Sequence, residues 1–209
     1  VKKPEDITGL IACEESGIVR DAFYKRGFKN VVSCDILPSR TPGNHYQGDV
    51  MDIINDYWDF MVAFPPCTHL TSAGAVYWPQ KRLDGRMKEA IEFFLALASA
   101  DIDFIALENP VGVLSKQYRK PDQIINPFNF GTPERKRTCL WLKNLPKLVH
   151  TNEVEPIIKG SCIKSNGRKY NYYHHQGKSS KERSKFWPCI AEAMAEQWGN
   201  YLLNQEVFL

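Results

Sequence analysis

Apolar residues along the chain fall into short, dense runs. Thr8 to Cys13 (TGLIAC), Val31 to Cys34, Trp58 to Phe64 (WDFMVAF), Phe104 to Leu107 (FIAL) and Thr138 to Leu142 (TCLWL) are apolar almost throughout, not at alternate positions. That is the pattern of short strands buried on both faces. Three of these runs are stopped by residues that break strands. Asp35 and Pro38 come after the second, Pro65-Pro66 after the third and Asn109-Pro110 after the fourth. Between the runs lie stretches with helical spacing. One spans about Ile18 to Arg26 and is ended by Gly27. A second, Arg86 to Ala100, sets Met87, Ala90, Phe93, Phe94 and Leu97 on one face. A third, Ile190 to Leu203, closes the chain. Strands alternating with helices predict an α/β fold with a largely parallel sheet.

In such sheets the working residues lie just past the carboxyl ends of the strands. Here those positions hold Glu14-Glu15-Ser16-Gly17, Asp35, Pro65-Pro66-Cys67 and Glu108-Asn109. Polar and unusual residues therefore gather at one edge. The most specific feature is FPPCT, Phe64 to Thr68. Proline fixes its own φ and restricts the residue before it. A cysteine directly after two prolines is thus presented with little backbone freedom, which suits a nucleophile. A buried cysteine that merely comes after a strand-ending proline pair fits the motif equally well.

Composition narrows the picture. The chain has 209 residues, 43% hydrophobic and 24% charged, which suits one soluble domain over 1–209. A net charge of +3 is too weak by itself to argue for nucleic acid. No apolar run approaches the roughly 18 residues of a membrane span, and Val1 to Asp6 hold no apolar stretch. Cys13, Cys34, Cys67, Cys139, Cys162 and Cys189 are widely spaced without a CxxC pair, as expected of reduced thiols in the cytoplasm. The segment from about 151 to 185 differs in character. Between Lys159 and Lys185 it carries eight Lys or Arg against one acid, Glu182, interleaved with Tyr170, Tyr172 and Tyr173, with His174-His175 next. A solvated loop and a nucleic-acid contact both fit it. Cys162, His174, His175 and Cys189 match no standard zinc spacing, so no metal is expected.

The order of motifs is more telling than any one of them. A strand and a small-residue turn (Ser16-Gly17) lead to Asp35, Gly48-Asp49, Pro66-Cys67, Glu108-Asn109 and Arg135-Lys136-Arg137 in turn. From Ile7 to Leu142 this order resembles the DNA cytosine-C5 methyltransferases. That family carries a glycine-rich loop, an acid, a Gly-Asp, a Pro-Cys, a Glu-Asn-Val and a Gln-x-Arg-x-Arg. The chain looks most similar to short, phage-type members. Trp187 to Met194 faintly resembles the family's C-terminal motif.

The resemblance implies a Rossmann-like class I methyltransferase fold, with helices on both faces of the sheet. It implies S-adenosylmethionine as methyl donor and DNA as partner, its target cytosine flipped out. Cys67 would attack cytosine C6 as the thiolate, making C5 able to take a methyl group. Glu108 would assist at ring N3, with its pKa raised by burial. Arg135 and Arg137 would contact the cytosine O2 or a phosphate. The cofactor would lie on Cys13, Glu14, Ser16 and Gly17, with Asp35 on the ribose hydroxyls and Ile36 on the adenine. Asp49 would meet the adenine amino group, and Val50 and Pro66 would line the pocket. The loop Thr68 to Arg86 is long enough to close over the base.

Several positions depart from the family pattern. Only Gly17 remains of the usual glycines, and Glu14 and Glu15 intrude, one of them available for the cofactor's ammonium group. Thr68, Pro110 and Pro133 stand where glutamine, valine and glutamine are usual. After Leu142, where longer members carry a recognition domain, the basic tyrosine-bearing segment is the candidate recognition element. Two further readings stay open. One is the same chemistry on RNA or a pyrimidine nucleotide. The other is a non-catalytic nucleic-acid-binding protein on a degenerate methyltransferase fold.

Overall fold

The computed structural model describes residues 2–163, 165–173 and 186–205. Its centre is β1 (Thr8–Ala12), flanked by β2 (Asn30–Asp35) and β4 (Phe60–Ala63) in parallel register. Beyond β2 lies the short edge strand β3 (His45–Gln47). Beyond β4 come β5 (Phe104–Pro110), β7 (Thr138–Lys143) and the edge strand β6 (Gln123–Ile125). The order is β3-β2-β1-β4-β5-β7-β6, and β7 runs antiparallel to both its neighbours. This is the Rossmann-like class I methyltransferase fold expected from the sequence.

Helices cover both faces, which explains why the strands are apolar without alternation. On one face Ile11, Val62, Ala106 and Leu140 pack with Phe23 of α1 (Ile18–Lys25) and with Ile190, Met194 and Trp198 of α5 (Pro188–Leu203). On the other face Leu10, Met61, Ala63, Ile105 and Leu107 pack with Phe94 and Leu97 of α3 (Arg86–Ala98). Two shorter helices, α2 (Trp78–Leu83) and α4 (Leu114–Gln117), come after the Cys67 turn and β5 respectively.

Two elements depart from the sequence expectation. β5 does not stop at Leu107 but continues to Pro110, because β7 pairs with Glu108, Asn109 and Pro110. Glu108-Asn109 is therefore strand, not a polar turn. The basic segment contains a hairpin, β8 (Gly160–Ile163) and β9 (Lys169–Tyr172), separate from the main sheet. Lys164, Lys178, Lys181, Arg183 and Lys185, with His174 and His175, lie outside the described residues.

Candidate active site

The loops that leave β1, β2, β3 and β4 open on the same edge of the sheet, beside the last residues of β5. The winding of the chain reverses between β1 and β4, the crevice where such folds bind ligands.

The first loop is shaped by its charges. Glu14 is buried, and its carboxylate accepts from the Ser16 hydroxyl and from the backbone N–H of Val19 and Arg20. It thus caps the N-terminus of α1, with burial pushing it up to about 7 against those hydrogen bonds. Both of its carboxylate oxygens are turned to the start of that helix. Glu15 is the acid with capacity left. It pairs with Arg40, while its Oε2 is buried without a hydrogen-bond partner. Gly17 has a φ of 73°, and a Cβ there would lie 2.1 Å from the Thr41 hydroxyl and 2.7 Å from the Arg20 guanidinium. The glycine is required by packing as well as by backbone conformation. Arg20 itself is fully buried and donates to Ser33, Ser39, Thr41 and the carbonyls of Pro42 and Asn44, fixing the β2–β3 connection. Cys13, at φ 57°, begins the loop, and burial chiefly drives its thiol pKa far up.

The next loops carry two acids. Asp35 ends β2 and accepts from the Leu37 N–H at 2.9 Å, leaving Ile36 73% exposed beside it. Asp49 caps the 3-10 turn Val50–Asp52 by accepting from Met51, and Val50 is buried beneath. Asp35 with the exposed Ile36 beside it, Asp49 just past the adjacent strand and the unpartnered Glu15 Oε2 thus leave acceptors on the loops at this edge of the sheet.

Cys67 stands after β4 on the Pro65-Pro66 turn and is half-buried, while Pro66 is exposed. The turn is latched from two sides. The buried Asn109 amide donates to the Pro65 carbonyl at 2.8 Å. Beyond it, Ser72 donates to Val111 and Val113 to the Leu70 carbonyl. Gly112 lies so close that a Cβ there would meet the Leu70 oxygen at 2.0 Å. Glu108, one strand over, accepts from the Thr138 hydroxyl. Burial raises the Glu108 carboxyl to about 7, against the pull of Lys136. The Cys67 thiol is likewise raised, by burial and by Glu108, with Lys136 again opposing.

The cation serving this pair is thus Lys136, which no motif singles out. Arg135 and Arg137 are exposed. The Arg135 guanidinium sits over the Tyr173 ring at 5.1 Å, and Arg137 acts on Cys139. The middle residue of the run is half-buried, whereas the arginine on either side is exposed. The Lys136 ammonium also rests 4.6 Å from the centre of the Trp187 ring. A concavity of about 520 Å³ lined by Phe128, Arg135, Glu153, Val154, Glu155 and Pro156 does not include Cys67.

Among the described residues no group of three or more His, Cys, Asp or Glu is placed to hold a metal. None of their helices is long and apolar enough to cross a membrane.

No protein-family model matches the chain, and no curated protein matches it significantly. Solved structures similar in shape include one described as a DNA modification methyltransferase encoded within an E. coli prophage (16% identity, 65% of this chain, 46% of that chain, TM-score 0.45). Another is the Entamoeba histolytica methyltransferase EhMeth (13% identity, 71% of this chain, 57% of that chain, TM-score 0.45). A third is WbdD, solved with a kinase inhibitor (11% identity, 97% of this chain, 52% of that chain, TM-score 0.40). The chain spans about half the length of each.

Proposed function

We propose that this chain transfers a methyl group from S-adenosylmethionine to C5 of cytosine in DNA through a covalent bond between Cys67 and cytosine C6. The observation that carries this reading is the placement of a turn-held thiol just past β4 and a carboxyl raised to about 7 on the adjacent parallel strand β5, with one lysine acting on both. The exposed basic hairpin, with Lys169, Tyr170 and Tyr172 on β9, supports a polynucleotide partner.

Each residue has its own part in the reaction. Cys67 gives up its proton to solvent, and Lys136 favours the thiolate that results. The thiolate forms a bond to C6, and the displaced electron pair runs towards N3. There Glu108, as the carboxylic acid, donates its proton or a strong hydrogen bond. S-adenosylmethionine, held by the β1–α1, β2 and β3 loops, would supply an electrophilic methyl group for C5 and would leave as the neutral thioether. The C5 proton then leaves to solvent, the C6–S bond breaks and Cys67 departs, with Glu108 regaining its proton from N3. Glu15, Asp35 and Asp49 orient the cofactor. Asn109 and Gly112 hold the nucleophile's turn still, so little ordering is needed at reaction.

Trapping on duplex DNA containing 5-fluorocytosine tests this. Fluorine at C5 blocks the final elimination, so the wild type should form a denaturation-resistant adduct that depends on the cofactor. Cys67→Ser should form none. An adduct that survives in Cys67→Ser, or none in the wild type across a varied sequence pool, would overturn the reading.

A further inference from the structure

Lys81 lies on α2, the helix after the Cys67 turn, yet its side chain is only 8% exposed. Its ammonium donates to the Thr68 carbonyl at 2.7 Å. Among the described residues no carboxylate pairs with it. The nearest acid in sequence, Asp84, is committed to Arg86. A desolvated cation is costly unless it is paired, and one neutral carbonyl leaves two of its donors over. Two more polar atoms of the same segment are also buried without partners, His69 Nδ1 and Trp78 Nε1. Trp78 and Lys81 are three residues apart on α2 and share a face, and His69 comes directly after the residue that Lys81 holds. The turn beyond Cys67 therefore carries one uncompensated charge and two idle nitrogens, one of them a fixed N–H donor.

We propose that Lys81 anchors an oxyanion, the phosphate of the target nucleotide, in the turn beside Cys67. The proposal rests on the reading of Cys67 as the nucleophile towards cytosine. The Thr68 carbonyl belongs to the residue next to Cys67, so the ammonium is held by the same turn that carries the thiol. A cytosine whose C6 meets that thiol carries its phosphate just across the sugar. A charge at this depth distinguishes Lys81 from Arg82 and Arg86, whose solvated heads offer only general attraction. A polynucleotide backbone and a free nucleotide both present such a phosphate, and the chemistry of capture is shared.

Binding is measured in a Cys67→Ser background, so that it reads independently of any covalent step. The probes are duplex DNA holding one cytosine, the same duplex with uncharged methylphosphonates flanking that cytosine, deoxycytidine monophosphate and deoxycytidine. Removing the flanking charges should weaken the Lys81 protein about ten-fold and a Lys81→Met protein no further. Lys81→Met should also reduce the slope of log affinity against log salt by about one, with Lys81→Arg retaining it. Monophosphate binding that exceeds deoxycytidine binding and is lost in Lys81→Met supports capture of a free nucleotide; the same pattern on DNA alone supports the backbone. An undiminished methylphosphonate penalty in Lys81→Met, an unchanged salt slope, or no binding of any phosphate probe would overturn the proposal. The methylphosphonate arm alters the ligand and not the protein, so it stands even if a Lys81 variant folds poorly. Failure of the 5-fluorocytosine adduct with this binding pattern intact would remove the methyl-transfer reading and leave the phosphate site.

Discussion

Two carboxyls at the active edge, Glu14 and Glu108, are each raised to about 7, chiefly by desolvation. Linkage sets the sign of their effect on stability. A raised carboxyl binds its proton more tightly folded than unfolded, so its contribution is fully present below about 4.5. It is lost as the pH climbs through about 7. Glu108→Gln removes the buried charge while keeping an acceptor for Thr138. This variant should melt higher than the wild type at pH 8 and alike at pH 5, by calorimetry. Its methyl transfer should fall at least about a hundred-fold, the usual contribution of a general acid. Wild-type transfer should be bell-shaped in pH, because Cys67 must ionise while Glu108 stays protonated. Glu108→Gln should lose the alkaline limb. A variant that keeps wild-type turnover would remove Glu108 from the chemistry.

At the scale of elements, the Cys67 turn is held by a neighbouring strand more than by its own prolines. The Asn109 amide reaches across from β5 to the Pro65 carbonyl inside the protein. Asn109→Ala should cost about 1–3 kcal/mol in urea unfolding, since the carbonyl is left buried and unpaired. It should also slow adduct formation while leaving cofactor affinity unchanged; a normal trapping rate would show that the prolines suffice. The densely apolar strands and the helices α1, α3 and α5 are legible in the sequence because their patterns are strong. β3 and β6 are not, being three residues long, partly polar and defined only by the neighbours they border. The end of β5 is hidden as well, because Asn109-Pro110 signals a turn locally, while β7 supplies partners from some thirty residues away.

Over the whole molecule, the C-terminal helix closes the face opposite α3. Trp198 is buried there among α1 and the sheet, and its indole N–H donates to the Pro146 carbonyl at 2.9 Å. Trp198→Ala should destabilise the fold by about 3–5 kcal/mol, the range for a truncated core aromatic. Denaturant melts would show it, and a loss below about 1 kcal/mol would mean that α5 packs loosely in solution. The helix lies at the far end of the sequence from β1, yet the residues of the first loop depend on the α1 it supports.

Sequence alone determined the strand–helix alternation, the edge at which polar residues collect and the identity of the turn-held cysteine. These are local properties, set by apolar runs, by proline and by the residues just past each strand. Tertiary structure decided which charges face which. It turned Glu14 into a helix cap and left Glu15 with the orphaned oxygen. It brought the charge of Lys136 to bear on both Cys67 and Glu108, and it drew Lys81 into the turn after Cys67. The physical reason is that burial and electrostatic pairing depend on distances between strands and loops far apart in the chain. A run such as Arg-Lys-Arg reads the same whichever of its members the fold turns inward.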